Sequence, residues 1–154
     1  MEQRETHFLY PAALYASRTP TTVSTILGSC VAVCLFDRVL KVGGINHYML
    51  PLWNGQGLAS PKYGNIAIDK LVEKLEQLGC RRGNLDAKIF GGGEVIETAT
   101  HFHIGARNID QAIVQLKELG IPIIARSVGG KNGRKIEYDT ETGSVRQRYI
   151  EKTI

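Results

Sequence analysis

Residues 22–36, TVSTILGSCVAVCLF, consist of two apolar runs separated by the pair Gly28-Ser29. A third apolar run covers residues 42–50 and follows a short polar turn. Runs rich in Val, Ile, Leu and Thr that are bounded by turn residues are typical of β-strands. The stretch therefore predicts three consecutive strands joined by tight turns, over residues 22–27, 31–36 and 42–50.

Two residues with reactive side chains lie at the ends of these strands. Cys30 directly follows the Gly28-Ser29 turn, and His47 lies near the end of the third run. Cysteine attacks as the thiolate, and a neighbouring imidazole can take its proton and stabilise the charge that results. The tight turn lets the thiol of Cys30 and the backbone N–H groups of Ser29 and Cys30 face one cavity, where an oxyanion could be held. We therefore expect a cysteine hydrolase or acyl-transfer enzyme.

The alternative for these two residues is structural. Free cysteine is among the residue types most often buried, and a single histidine at a strand end is more often structural than catalytic. Cys34, within the second apolar run, and Cys80, after a helix, fit that structural interpretation better than Cys30 does. The pairing of Cys30 with His47 is what favours catalysis.

A histidine base needs a third group that holds its tautomer and orientation. Counting alternate residues back along the first strand, we expect Ser24 or Thr22 to lie on the face that leads to Cys30. Thr25 then falls on the opposite face and is the weaker candidate. Ser24 is therefore the predicted orienting residue, and Thr22 is the second choice.

The rest of the chain predicts two amphipathic helices and further strands. One helix is expected from an Asn65 cap to about Leu78, and a second from an Asn108 cap to Gly120. Strands are expected over residues 85–90, 121–128, 134–139 and 144–150. This order, three strands, helix, strand, helix and three strands, indicates an α+β fold and not a regular βαβ repeat.

Composition restricts the possible classes of protein. The chain has 154 residues, of which 43% are hydrophobic, and no apolar run approaches the roughly 20 residues of a membrane span. We expect a single domain over residues 1–154, no membrane insertion and a cytoplasmic location with reduced thiols. The net charge of +4 suggests an acidic partner, although on charge alone an ordinary surface with a few extra lysines is the better explanation.

Two further motifs are weak. His101 and His103 share one face if the segment is extended, but two histidines without a third ligand at a recognisable spacing rarely indicate a metal site. The glycine clusters at residues 91–93 and 129–133 lack the spacing of phosphate-binding loops and are better interpreted as turns or close backbone approaches. We therefore predict no metal and no cofactor.

Six sequence blocks together resemble the chemoreceptor glutamine deamidase (CheD) family. The blocks cover the chain from about residue 20 to residue 148 in the family's order, and their combination is specific although each alone is not. They are LGSCVAV (27–33), NHYMLP (46–51), KIFGG (88–92), IGARN (104–108), VGG…GRK (128–135) and DTETG (139–143).

The resemblance implies a fold and a set of site residues. In fold the family is similar to bacterial toxin cysteine deamidases, with a β-sandwich-like core of mixed and antiparallel strands flanked by helices. Its triad of cysteine, histidine and threonine or serine carries over onto Cys30, His47 and Ser24. The position six residues before the cysteine is usually threonine, and serine keeps the hydroxyl there.

The resemblance also implies a substrate and a partner. Family members convert selected glutamines to glutamate in the cytoplasmic domains of chemotaxis receptors, and they commonly bind the phosphatase CheC. The alternatives are a receptor methylesterase or another cysteine amidase or protease, and a non-catalytic adaptor that binds CheC. A nucleic-acid module is disfavoured because no known nucleic-acid-binding motif accompanies the positive charge.

Overall fold

The computed structural model describes residues 4–95 and 103–151. Within these ranges the chain forms nine β-strands and two α-helices. In chain order they are β1 (Glu5–Phe8), β2 (Leu14–Ser17), β3 (Thr21–Leu27), β4 (Val31–Asp37), β5 (Val42–Asn46), α1 (Gly64–Gln77), β6 (Leu85–Gly91), α2 (Ile104–Leu119), β7 (Ile123–Val128), β8 (Gly133–Asp139) and β9 (Val145–Ile150).

The strands form two sheets that pack face to face. One sheet has the order β1-β3-β8-β9 and the other the order β2-β5-β4-β6-β7. The pairs β1–β3 and β6–β7 are parallel, and the other described neighbours are antiparallel. One apolar cluster fills the space between the sheets, and a second lies between the five-stranded sheet and the helices. The predicted α+β fold, a sandwich-like core flanked by helices, is confirmed.

Burial along the strands follows from these layers. All seven residues of β4 are buried because the other sheet covers one of its faces and the helices cover the other. In β3 buried and more exposed residues alternate, since only one face of the four-stranded sheet contacts the core. The three strands predicted first are therefore present, with the third ending at Asn46.

Helix α1 packs through the predicted apolar stripe. Ile68, Leu71, Val72 and Leu75 are buried against the five-stranded sheet. The predicted cap at Asn65 is wrong, because Tyr63 holds the cap position and makes no side-chain cap hydrogen bond. The Asn65 side-chain oxygen instead accepts a hydrogen bond of 3.0 Å from the backbone N–H of Trp53.

Helix α2 begins at Ile104 with His103 at the cap position, five residues before the expected cap at Asn108, which is therefore also wrong. A carboxylate oxygen of Glu94 accepts the N–H of Ala106 at 3.1 Å and supplies an acceptor for this first turn. Asn108 is fully buried inside the helix. In the described part of the chain, neither helix has the length and apolar character to cross a membrane.

The strands β1 and β2 were not predicted. Each is only four residues long, and each residue of β1 is exposed, so neither forms a long apolar run of the kind that predicts a strand. β1 pairs with β3 in one sheet and β2 pairs with β5 in the other. The chain between them therefore crosses from one sheet to the other, and Leu9 is buried there, 1% exposed.

Candidate active site

Cys30 and His47 lie on neighbouring segments of the five-stranded sheet. Beyond the paired part of β4 and β5, Val31 and Tyr48 exchange two backbone hydrogen bonds of 3.1 and 3.0 Å. This bridge continues the β4–β5 register, which sets His47 opposite Ala32 and one diagonal step from Cys30. Diagonal neighbours in an antiparallel pair are about 7–8 Å apart at Cα, within reach of long side chains.

His47 is 2% exposed, and its Nε2 atom has no hydrogen-bond partner within residues 4–95 and 103–151. A Cys30–His47 hydrogen bond is therefore not formed in this structure. Cys30 is half-buried and packs against the apolar cluster between the sheets. The pairing of its thiol with a His47 ring nitrogen therefore stays a prediction.

The residue that contacts the His47 ring is Thr25, not Ser24. The Thr25 hydroxyl oxygen lies 2.7 Å from His47 Nδ1, and Thr25 is fully buried. Ser24 and Thr22 are half-buried on the other face of β3. The prediction of Ser24 as the orienting residue is wrong because it counted alternation through the Gly28-Ser29 turn, and a turn resets which face a side chain takes.

The hydrogen bonds of Thr25 decide which nitrogen of His47 carries the proton. The single hydroxyl proton of Thr25 is donated to the backbone carbonyl of Leu9, at 2.7 Å. The hydroxyl oxygen must then accept from His47, so Nδ1 is the protonated nitrogen. The unpartnered Nε2 is left with its lone pair and can act as a base.

Burial keeps both reactive groups uncharged. It lowers the pKa of His47 to about 4 and raises the pKa of the Cys30 thiol, an effect that the backbone N–H of Cys30 partly opposes. At neutral pH the pair is therefore a thiol and a neutral imidazole. Such a pair can carry out general-base catalysis but is not a preformed thiolate.

The backbone N–H groups at the Cys30 turn are the predicted oxyanion donors. Neither the N–H of Ser29 nor that of Cys30 donates to a backbone carbonyl of the residues that the structure describes, and the N–H of Cys30 interacts with that residue's own thiol. The carbonyl of Ser29 accepts a hydrogen bond of 3.0 Å from the side-chain amide of Asn108. The role of these N–H groups in binding an oxyanion stays a prediction.

The glycine cluster at residues 91–93 lies against this turn. The N–H of Gly92 donates to the carbonyl of Cys30 at 2.8 Å, and the N–H of Gly93 donates to the carbonyl of Gly28 at 2.9 Å. Gly91 has a φ of 105°, and a Cβ atom there would lie 2.2 Å from the Cys30 carbonyl oxygen. The glycines permit a close backbone approach, here by the protein's own chain.

Sequence reasoning missed Leu9, Thr25 and Asn108. Leu9 acts through its backbone carbonyl, for which the sequence carries no signal. Thr25 was considered but placed on the wrong face, and Asn108 was interpreted as a helix cap. The sequence does carry a signal for Asn108, which ends the family block IGARN (104–108). A polar residue at a core-facing position of a helix indicates a specific hydrogen-bond partner.

The remaining candidates from the sequence are a pair of histidines and two further cysteines. His101 lies outside the described residues, and residues 4–95 and 103–151 contain no group of three or more potential metal ligands. Cys34 and Cys80 are buried, 2% and 5% exposed, in agreement with the structural interpretation.

Comparison with known proteins identifies the family. Residues 49–149 match the sequence profile of the family described as CheD chemotactic sensory transduction. A protein of Sulfurimonas denitrificans named "Probable chemoreceptor glutamine deamidase CheD" is 44% identical over 97% of both chains. A relative of the same name from Trichlorobacter lovleyi is 48% identical over 90% of this chain and 87% of its own. One from Halalkalibacterium halodurans, "Chemoreceptor glutamine deamidase CheD", is 43% identical over 85% of both. The chain belongs to the CheD family.

Proposed function

We propose that this chain is a protein-glutamine deamidase that converts glutamines of chemotaxis receptors to glutamate and releases ammonia. The names of the relatives support this substrate and reaction. The observation that carries the chemistry is the buried His47, whose Nδ1 is held by Thr25 while its basic Nε2 has no partner among the described residues. The strand register sets His47 one diagonal step from Cys30. Cys30 is the nucleophile, His47 the general base and acid, and Thr25 the orienting residue in place of Ser24.

The first half of the reaction forms a thioester. His47 Nε2 takes the thiol proton as the Cys30 sulfur attacks the carboxamide carbon of a receptor glutamine. The N–H groups of Ser29 and Cys30 donate to the oxygen of the tetrahedral intermediate, which is negatively charged. When the intermediate collapses, the C–N bond breaks and the imidazolium gives its proton to the leaving nitrogen, so ammonia departs.

The second half hydrolyses that thioester. Neutral His47 takes a proton from water, and the hydroxide formed attacks the thioester carbon. The C–S bond then breaks, and the proton returns from the imidazolium to the Cys30 sulfur. The products are a receptor glutamate and the free thiol, so one water is consumed for each ammonia released.

The neutral resting pair suits this sequence of steps. Nε2 of His47 already lacks a partner in the described residues, and a bound substrate would exclude water from it. The thiol proton of Cys30 then passes to Nε2 as the sulfur attacks the carboxamide. The Thr25 oxygen accepts the Nδ1 proton throughout and favours the imidazolium when it forms. A hydroxyl acceptor stabilises that cation less than a carboxylate would. The imidazolium of His47 therefore transfers its proton more readily to the leaving nitrogen.

The cellular setting is proposed from the family resemblance. We propose a single catalytic domain over residues 1–154 that acts in the cytoplasm on the receptors' cytoplasmic domains and binds a CheC-type phosphatase. The net charge of +4 favours an acidic binding partner.

The test is mass spectrometry of a receptor cytoplasmic fragment after incubation with the reduced protein. Deamidation replaces NH₂ by OH and marks an identifiable glutamine. Wild-type protein should produce the mark with an equal amount of ammonia, and Cys30→Ala and His47→Ala should not. Unchanged glutamines accompanied by methanol release from methylated receptors would refute deamidation and indicate a methylesterase.

A further inference from the structure

Asn108 connects the two segments that carry the proposed nucleophile and base. Its side-chain NH₂ group donates to the carbonyl of Ser29 and to the carbonyl of Met49, each at 3.0 Å. Its backbone carbonyl accepts a hydrogen bond from the Tyr48 hydroxyl. One residue of α2 therefore holds the residue before Cys30 and the two residues after His47.

The hydrogen bond to Ser29 orients the Cys30 amide. The described chain has no cis peptide bond, and in a trans peptide the C=O and N–H groups point in opposite directions. With the Ser29 carbonyl directed to α2, the N–H of Cys30 points away from that helix. Cys30 packs against the cluster between the sheets, on the side away from α2, so this N–H is directed to the side where the thiol lies.

The buried amide serves little else. Asn108 is fully buried and its Oδ1 atom has no partner within the described residues, which is an unfavourable state for a polar atom in a core. An apolar side chain of similar shape would avoid that unpaired atom, at the expense of the two donated hydrogen bonds. Both donated hydrogen bonds go to the segments that carry Cys30 and His47, so the positioning effect of this amide falls on the site.

We propose that Asn108 is a positioning residue for the Cys30–His47 pair. This inference rests on the proposed deamidase function. The Asn108 amide holds the Ser29–Cys30 peptide so that the Cys30 N–H faces the developing oxyanion. It also keeps the Met49 segment, and with it His47, in register with the nucleophile turn.

The experiment compares Asn108→Ala and Asn108→Leu with a matched control, Gln115→Ala. Gln115 lies two turns later on α2, is also buried, and its amide also makes two donated hydrogen bonds, to Asn65 and Asp69. None of the Gln115 contacts reaches the segments that carry Cys30 or His47. The comparison therefore separates the general effect of removing a buried side-chain amide from the effect of removing the Asn108 amide.

Two readouts are measured with full-length protein whose folding is checked by thermal unfolding. In deamidation of a receptor fragment, kcat should fall about 100-fold in both Asn108 variants with KM changed less than threefold, because misplacement by about 1 Å costs about that factor. The second readout is the rate at which iodoacetamide alkylates Cys30, followed across pH by peptide mapping. Its midpoint should move to higher pH in Asn108→Ala, because the Cys30 N–H no longer stabilises the thiolate.

The outcomes are distinct. If both Asn108 variants match Gln115→Ala in kcat and in the alkylation midpoint, Asn108 is a structural residue and the inference is overturned. If the Asn108→Leu variant unfolds at or above the wild-type temperature but deamidates the receptor fragment slowly, the inference is supported. Alkylation needs no receptor, so it tests the role of Asn108 even if the wild-type protein deamidates no receptor glutamine. Absence of deamidation by the wild-type protein would refute the proposed function separately.

Discussion

Replacing Thr25 by valine should slow turnover strongly while nearly preserving side-chain volume. The change removes the 2.7 Å contact to His47 Nδ1 and the 2.7 Å hydrogen bond to the Leu9 carbonyl. A hydrogen bond to a charged group contributes about 1.5–3 kcal/mol, and the imidazolium forms only during the reaction. Loss of that stabilisation corresponds to a decrease of roughly 10- to 100-fold in kcat.

Stability should also fall in the Thr25→Val variant. Valine leaves the Nδ1–H of His47 and the carbonyl of Leu9 buried without partners, and each unpaired group costs about 1–3 kcal/mol. The free energy of unfolding in urea should decrease by about 2–6 kcal/mol, and Thr25→Ser, which keeps the hydroxyl, should retain most of both properties. The measurements are ammonia release with a receptor fragment and urea unfolding of the same preparations.

The matched control is Ser24→Ala, one residue away on the other face of β3. It should change kcat by less than about twofold, since a surface substitution away from special contacts has little effect. Nitrogen NMR of the wild-type protein should show the proton of neutral His47 on Nδ1. The reasoning is refuted if Thr25→Val turns over at the wild-type rate, if Ser24→Ala loses as much activity, or if the proton is found on Nε2.

Three other perturbations test the site. Because burial lowers the pKa of His47 to about 4 from 6.5, the unfolded chain binds more protons between these values. Stability should therefore fall by about 2 kcal/mol from pH 7 to pH 5 in urea unfolding, and much less in His47→Gln; an equal loss in both would exclude His47 as the cause. Cys30→Ala should abolish deamidation in the mass-spectrometric assay with an unchanged circular dichroism spectrum, and residual turnover would rule out Cys30 as nucleophile. Gly91→Ala should lower both the unfolding temperature and turnover, because its Cβ would lie 2.2 Å from the Cys30 carbonyl oxygen. Wild-type values of both would show that the close approach of Gly91 to Cys30 is not required.

The strands around Cys30 could be predicted because their signals are local. Val, Ile, Leu and Thr runs between turn residues predict strands whatever the rest of the chain does, and β3, β4 and β5 follow them. The same locality explains the errors at α1 and α2. Asn65 and Asn108 have the composition of helix caps, yet their side chains bond to Trp53 and to the Ser29 and Met49 carbonyls, all distant in sequence.

The sequence by itself determined the α+β class and the family resemblance, and it predicts the pairing of Cys30 with His47, since these depend on residue types and on the order of short segments. Only the tertiary structure decided that Thr25 holds the imidazole, that the Leu9 carbonyl sets its tautomer, and that Asn108 donates a hydrogen bond to the Ser29 carbonyl. Each of these rests on a hydrogen bond between segments far apart in the chain. The neutral resting state has the same origin, because the burial that shifts both pKa values exists only when the two sheets and the helices have packed together.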